Sequence, residues 1–320
     1  MVKVVAQRIG TALAVLFVVS LVTFCALHVL PGDPALLMLG LEASPDKVAA
    51  LREAMGLNRP LPEQYIDWLA GMVRGDWGTS SMYGAPVLEV MVTTLPVTLA
   101  LAAYAMVIAL VVSVPLGVMS ALRPGTFVDG FARTLMQLGA AAPGFWLAVL
   151  AMLFFAAHLG WFPVSGYMPF SQSVGGGLRS LTLPAVVLAA GECGVLIRTV
   201  RTSVMSALER DCMLSAQVKG LTRGRTVVVY ALRSALVAPL TVAGMQLAKL
   251  VGGTAVIESV FALPGLGRLL IAAVEQHDVM LVQGIVVFVT VAVVLVTLLA
   301  DLLVMAAEPA VRHQGTGEAS

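Results

Sequence analysis

The sequence has few charged residues for its length. Of its 320 residues, 12% are Asp, Glu, Lys or Arg, whereas a soluble domain carries about 25%. Apolar residues make up 59% of the chain, and the mean hydropathy is +0.96. This composition excludes an ordinary water-soluble globule. The formal net charge is only +1, which argues against nucleic acid as a partner.

Cysteine is also scarce. The chain has three cysteines, Cys25, Cys193 and Cys212, and they form neither a CxxC pair nor a paired framework. Disulfide-stapled folds and thiolate metal sites need such patterns. We therefore interpret all three as reduced packing residues.

The common motifs of nucleotide-binding proteins and hydrolases are missing. None of the four lysines follows a glycine, so the chain has no P-loop. Neither H-E-x-x-H nor G-x-S-x-G occurs, and the four histidines are scattered along the chain. The sequence predicts no catalytic set and no metal centre. If the protein moves a solute uphill, the energy comes from an ion gradient or from another subunit.

Long apolar runs are what the sequence has instead. A helix needs about 20 apolar residues to cross the hydrocarbon core of a bilayer. Six runs approach or exceed this length, and we predict that each spans the membrane. The predicted spans are 9–30, 95–122, 135–159, 181–197, 235–257 and 280–305. Pro115 and Pro143 fall inside the second and third, where neighbouring helices can satisfy the freed carbonyls.

The distribution of Lys and Arg predicts the orientation. With the N-terminus inside, cytoplasmic segments hold twelve of these residues and outer segments hold six. Four of the six outer residues lie in one long loop, which weighs little in the positive-inside rule. We therefore expect both termini to be cytoplasmic.

The long outer segment, 31–94, contains two predicted helices. One is capped by Ser44, has Pro45 in its first turn and stops at Gly56. The second ends at Gly75 and places Tyr65, Leu69 and Met72 on one stripe. We expect this segment to be a helical extracytoplasmic part of a single domain, 1–320, either covering the outer face or docking an outer partner.

The basic segment 206–234 interrupts the apolar runs. Leu214, Val218 and Leu221 lie on one face of a short helix. Gly220 suits the left-handed residue that ends a helix, and Thr222 can cap the next. The segment could simply fix topology by its charge, or its short helix could dock in a groove of a partner.

This segment resembles the cytoplasmic EAA loop of ABC importer permeases, and in particular of the permeases for dipeptides, oligopeptides and nickel. Asp211, Ala216, Lys219, Gly220 and Leu221 match the loop pattern, as does "ALRSALVAP" at 231–239. Further stretches of the same family pattern are "LHVLPGDPALLMLG", "RGDWGTSSMYGAPVLEVMVTTLPVTLALA" and "IESVFALPGLGRLLIAAVEQHDVMLVQG". The resemblance covers about 8–312.

The resemblance implies a fold and a set of partners. The fold is an all-α membrane protein with six transmembrane helices, the type I ABC importer permease architecture, in the inner membrane. The implied partners are a second homologous permease, two ATP-binding subunits, an extracytoplasmic substrate-binding protein and membrane lipid. The chain itself would bind no cofactor, and ATP and Mg would be used by the partner subunits. The residues expected to couple to the ATPase are Arg210, Asp211, Leu214, Ala216, Val218, Lys219, Gly220 and Leu221.

Two charges fall inside predicted spans. Glu192 and Lys249 cost a few kcal/mol each at bilayer depth. Three roles are open for these two residues. They could form an ion pair with each other, they could line the translocation path and bind the opposite charges of a zwitterionic cargo, or they could serve only packing and snorkelling. Measured from the predicted cytoplasmic ends of their spans, they lie about 9 Å and about 21 Å deep. This mismatch favours the path, to which we also assign Glu258.

The favoured function is therefore a permease subunit that forms half of the path for peptides or peptide-like solutes. Nickel or a metal–chelator complex is the alternative cargo, although the sequence lacks clusters of His, Cys or Met that would bind a bare metal. A gradient-driven secondary transporter is the alternative from another class. Such proteins often show inverted repeats, and no internal repeat is visible here.

Overall fold

The computed structural model describes residues 2–29, 36, 44–54, 56–209 and 232–307. Within these ranges the regular structure is helical, apart from one isolated bridge between Thr79 and Pro86. The helices are α1 (Val2–Val29), α2 (Pro45–Ala54), α3 (Leu61–Arg74), α4 (Val87–Leu122), α5 (Phe127–Ala141), α6 (Gly144–Ala151), α7 (Val174–Leu208), α8 (Leu232–Ala235), α9 (Val237–Gly253), α10 (Ala255–Val260), α11 (Leu266–Glu275) and α12 (Val279–Ala307). A π-helix, Met152–His158, continues α6.

Among the described residues, four helices are long and apolar enough to cross a membrane. They are α1, α4, α7 and α12, and α5 with α6 makes a fifth candidate if the pair forms one span. Helix α9 is apolar but shorter, with 17 residues. The six-span count remains a prediction.

The third predicted span, 135–159, is not one straight helix. Helix α5 ends at Ala141, Ala142 is extended at φ −85° and ψ 126°, and Pro143 precedes α6. The two helices are bent by 109° relative to each other. The proline ring disfavours helical backbone angles at the residue before it. The helix therefore ends before Ala142. The expectation that Pro143 would sit inside a continuous span is wrong.

The two helices predicted between the first and second spans are confirmed. Helix α2 follows Ser44, and Gly56 lies beyond it at φ +67°. Helix α3 ends at Gly75, whose φ of +90° is open to glycine at little cost. On the stripe predicted for α3, Met72 is buried, whereas Leu69 lies at the edge of the stripe and is 36% exposed.

The described residues cluster into two compact units. The first holds residues of 99–263 and 293–320, and the second holds residues of 2–98 and 264–292. In the first unit α7 contacts α5, α6, α8 and α9, and its apolar stretch is the most buried of the four candidate spans.

Close approach between α5 and α7 depends on glycine. A Cβ added at Gly194 would lie 2.9 Å from the backbone oxygen of Met136. A Cβ added at Gly139 would lie 2.9 Å from the backbone oxygen of Ala190. Small residues at a helix crossing allow two backbones to approach closely in a membrane.

The second unit has its own apolar core. Its buried members come from α4, α11 and α12: Val87, Met91, Leu266, Leu269, Ala273, Leu281 and Ile285. At the start of α12, the buried Asp278 carboxylate accepts hydrogen bonds from Ser80 Oγ at 2.5 Å and from the Met82 and Leu281 backbone N–H groups. This carboxylate ties the turn at 80–83 to the first turn of α12.

Candidate functional site

The predicted ATPase-coupling residues lie outside the described residues. These are Arg210, Asp211, Leu214, Ala216, Val218, Lys219, Gly220 and Leu221. The structure does describe the helices on either side of them. Helix α7 ends at Leu208, and the chain is described again from Leu232, at the start of α8.

An apolar cluster holds together the two ends of this segment. Ala207, near the C-terminus of α7, and Ala235, in α8, are both buried in it. Ala121 of α4 joins them, with Val200 and Val204 of α7. The predicted coupling loop is therefore inserted between helices that are packed against one another, so that both ends are anchored in the same cluster.

A buried carboxylate lies in the same unit, beside the last turn of α4. Asp129 is 1% exposed, and it accepts hydrogen bonds from Ser120 Oγ at 2.5 Å and from the Gly125 backbone N–H at 3.0 Å. It also forms ion pairs with Arg133 at 2.5 Å and with Arg201 Nε at 3.1 Å. One side chain thus links α4, the turn after it, α5 and α7.

This network was not predicted from the sequence, in which Arg133 and Arg201 are two of the twelve Lys and Arg residues assigned to cytoplasmic segments. The available signal was Asp129 itself, an acidic residue four positions before Arg133. Ion pairs at that spacing form on one helix face. The contact with Arg201, 72 residues away, required the tertiary structure.

The two membrane charges meet. Lys249 Nζ of α9 donates a hydrogen bond to Glu192 Oε1 of α7 at 3.2 Å. The Glu192 side chain is 6% exposed, whereas that of Lys249 is 67% exposed. The second carboxylate oxygen, Glu192 Oε2, is buried and has no hydrogen-bond partner among the described residues. The carboxylate is therefore only half satisfied by its lysine.

The depth mismatch derived from the sequence is wrong. It assumed that the fourth span ends at residue 197, but α7 continues to Leu208. Glu192 then lies 16 residues, about 24 Å, from that end, and Lys249 lies 12 residues, about 18 Å, from the start of α9 at Val237. These depths allow the pair. A role for either residue in the path stays a prediction.

Glu258 has different surroundings. It is fully buried in the first turn of α10, where its Oε1 accepts a hydrogen bond from Thr254 Oγ1 at 2.7 Å. Its backbone oxygen accepts from the Leu263 N–H at 2.8 Å. These contacts stabilise the turn between α10 and α11. They do not join Glu258 to the Glu192–Lys249 pair.

Two family models cover most of the sequence. Residues 1–102 match the N-terminal model of binding-protein-dependent transport system membrane components. Residues 113–313 match the model described as binding-protein-dependent transport system inner membrane component.

The chain belongs to this family of inner membrane components. It is thus a permease subunit of ABC importers, in which separate ATPase subunits hydrolyse ATP. The family also implies a substrate-binding component as partner.

Relatives and a solved structure agree with the family. A relative from Brucella abortus (strain 2308), whose name describes a peptide transport system permease protein, is 39% identical over 313 residues. The match covers 98% of this chain and 100% of the relative. The dipeptide transport system permease protein DppB of Escherichia coli (strain K12) is 33% identical over 338 residues, which cover 98% of this chain and 100% of that protein. A chain of the MetNI methionine ABC transporter, in an inward facing conformation, aligns with a TM-score of 0.56 at 21% identity. The alignment covers 69% of this chain and 97% of the MetNI chain, so the inner membrane component shares that importer fold.

Proposed function

We propose that this chain forms half of the translocation path for peptides or peptide-like solutes in an ATP-driven importer. The observation that carries the proposal is the agreement of relatives named for peptide and dipeptide transport at 39% and 33% identity over their full length. A nickel cargo has less support. Within the described ranges, no three His, Cys, Asp or Glu side chains are grouped so as to hold a metal ion.

The proposed assembly contains a second homologous permease, two ATP-binding subunits that use ATP and Mg, and an extracytoplasmic substrate-binding protein. In it the chain acts as one domain, 1–320, with six spans and both termini in the cytoplasm. Segment 206–234 faces the ATP-binding subunits and carries their motion to the spans. The presence of Ala207 and Ala235 in one buried cluster supports this role, because both ends of the segment are joined to packed helices that could respond to its displacement.

Gly220→Val tests the coupling role. A Cβ in a left-handed turn costs roughly 1 kcal/mol, and a branched side chain costs more. We expect the variant to reach the membrane in normal amounts while ATP hydrolysis no longer drives uptake. Membrane abundance, ATPase activity and uptake are measured on the same preparation. Normal uptake with normal stimulated ATPase activity would show that the loop has another role.

The Glu192–Lys249 pair suits a cargo that carries both charges. Glu192 Oε2 is buried without a partner among the described residues, so it is available to accept from an ammonium group. The Lys249 side chain is 67% exposed, so a cargo can reach its ammonium group. A peptide zwitterion can displace Lys249 with its ammonium group and offer its carboxylate to the freed lysine. We place Glu258 in the same path only as a buried wall residue.

A double-mutant cycle separates a cargo role from a structural role. We expect Glu192→Gln and Lys249→Met each to lower uptake of a labelled dipeptide about tenfold or more, as for a lost charge-assisted hydrogen bond. If the pair serves cargo, each single variant should reach the membrane in near-normal amounts, and the double variant should take up less dipeptide than either single variant. Gln246→Leu, also on α9, is the matched control and should retain uptake. Recovery of both membrane abundance and dipeptide uptake by the double variant would overturn the cargo role. Loss of nickel uptake in the same variants that lose dipeptide uptake would overturn the peptide assignment.

A further inference from the structure

Helix α3 has an apolar face that nothing covers among the described residues. Ile66 is 64% exposed, Leu69 is 36% exposed and Val73 is 84% exposed. At 3.6 residues per turn these three side chains fall within about 60° of one another. A stripe of exposed aliphatic side chains on a helix is unusual in water and marks a surface that contacts something apolar.

Two other faces of α3 have clear roles. Charged side chains lie on one of them: Glu63, Asp67 and Arg74. Asp67 also pairs with Arg59, and both side chains are well exposed. The remaining face packs on α1 and contains Tyr65 and Trp68. The aliphatic stripe lies between these two faces, about 100° from each.

The contacts with α1 fix where α3 lies. Tyr65 Oη is 2.7 Å from Ser20 Oγ, and the Tyr65 ring lies 6.4 Å from the Phe17 ring and 5.4 Å from the Phe24 ring. The Trp68 ring lies 5.8 Å from that of Phe24. Helix α3 is therefore held against the second half of α1, over two turns of that helix.

These contact residues belong to the membrane-spanning part of α1. They fall inside the candidate span Gln7–Cys25. Along the apolar run 9–30, Phe24 lies six residues, about 9 Å, from the C-terminal end, and Ser20 lies ten residues, about 15 Å, from it. The hydrocarbon core is about 30 Å thick. A helix held at these residues lies at the depth of one leaflet and does not stand above the membrane.

We propose that Ile66, Leu69 and Val73 face the acyl chains of the leaflet at the C-terminal end of α1. The partner of this surface is lipid. Helix α1, on which α3 packs, also exposes apolar side chains around its circumference, with Leu13 at 61%, Phe17 at 56% and Val22 at 60%, as expected of a helix surrounded by lipid. The charged face of α3 points away from that surface, as in helices that lie in a membrane interface.

This arrangement changes the location expected for α3, which lies in the segment between the first two predicted spans. Helix α3 becomes part of the membrane-embedded body, with its Tyr65 and Trp68 between it and α1. The inference rests on the contacts of α3 with α1 and does not depend on the cargo.

Spin-label accessibility tests the proposal on the full-length protein. In a background with Cys25, Cys193 and Cys212 replaced, a nitroxide is attached at Ile66→Cys or Val73→Cys. Glu63→Cys and Asp67→Cys on the charged face are matched controls. The protein is reconstituted, with its ATP-binding and permease partners, in vesicles of phosphatidylcholine and phosphatidylglycerol. The measured quantity is the rate at which the nitroxide collides with each of two reagents. One is oxygen, which concentrates in lipid, and the other is a water-soluble nickel chelate.

We expect oxygen collisions to exceed nickel collisions several-fold at positions 66 and 73, with the reverse order at 63 and 67. Nickel collisions dominating at 66 and 73 would show that the stripe faces water. Both reagents excluded at 66 and 73 would show that another protein covers it. Either of these results overturns the proposal, and neither bears on the peptide assignment.

Discussion

Asp129 concentrates more contacts than any other carboxylate described here. A buried carboxylate that is ionised needs several donors to offset its desolvation, and Asp129 has a hydroxyl, a backbone N–H and two guanidinium groups. Three helices and one turn therefore depend on a single side chain. This dependence is absent at the exposed pair of Arg59 and Asp67.

Asp129→Asn removes the charge while keeping the size of the side chain. We expect it to lower the free energy of unfolding by about 2 kcal/mol, the order of one hydrogen bond to a charged group. Asp67→Asn should have little effect, because an exposed ion pair contributes about 0–1 kcal/mol. The thermal denaturation midpoint of the protein in detergent, measured for both variants, checks this. Equal midpoints for the two variants would contradict the importance of the Asp129 network.

Residue-level inference from the sequence depended on how unusual each residue is in its context. Glu192 and Lys249 were identifiable because charges are rare within apolar runs. Their pairing was one of the alternatives, and the depth mismatch that weighed against it came from an underestimate of the length of α7. The role of Asp129 was not predicted, because a charged residue near the end of a membrane span is common.

At the scale of helices, the crossing of α5 and α7 depends on Gly139 and Gly194. Gly191 lies one turn before Gly194 on α7 but away from the crossing. A Cβ at Gly194 would come within 2.9 Å of the Met136 backbone oxygen, whereas a Cβ at Gly191 would have nothing within 4 Å. Backbone atoms cannot move aside as the end of a side chain can.

Gly194→Ala should therefore force α5 and α7 apart. Overpacking of this kind costs about 1–3 kcal/mol, and we expect a lower denaturation midpoint and less protein in the membrane. Gly191→Ala is the matched control and should be neutral or slightly stabilising, since alanine favours helix. Abundance in membranes and the midpoint in detergent are the measurements. A neutral Gly194→Ala would mean that the two backbones are further apart than described.

Helices were predictable in type and less so in extent. Stops such as Gly56 and Gly75 act through local backbone preferences, and the structure bears them out. The break at Ala142 follows the local restriction on a residue before proline, but Pro184 lies inside α7 without breaking it, so this local preference alone does not decide where a helix ends.

For the whole molecule, the orientation in the membrane is the most direct prediction. Cysteines placed at Ser44 and Thr222, in a background without the native cysteines, should be labelled from opposite sides by a membrane-impermeant maleimide. The predicted orientation puts Ser44 outside and Thr222 in the cytoplasm, because most Lys and Arg residues then lie inside. Labelling of intact cells and of inverted vesicles gives the two readings. Labelling of both positions in intact cells would contradict the topology.

The class of the molecule was accessible from the sequence because it follows from composition and long ordered motifs. An apolar fraction of 59% and the stretch at 231–239 already indicate a permease, and the family match at 113–313 confirms it. Exposed apolar surfaces could not be predicted from the sequence in the same way. The stripe on α3 appears only once Tyr65 and Trp68 are seen against α1.

The ion pair of Glu192 and Lys249 also bears on how the chain is inserted during synthesis. Helix α9 has 17 residues, about 25 Å, and a lysine in a membrane helix opposes release from the translocon by up to about 3 kcal/mol. Glu192 lies on α7, which leaves the ribosome before α9. When Lys249 reaches the bilayer, its counter-charge is already there. The order of translation thus supplies α9 with the counter-charge that favours its insertion.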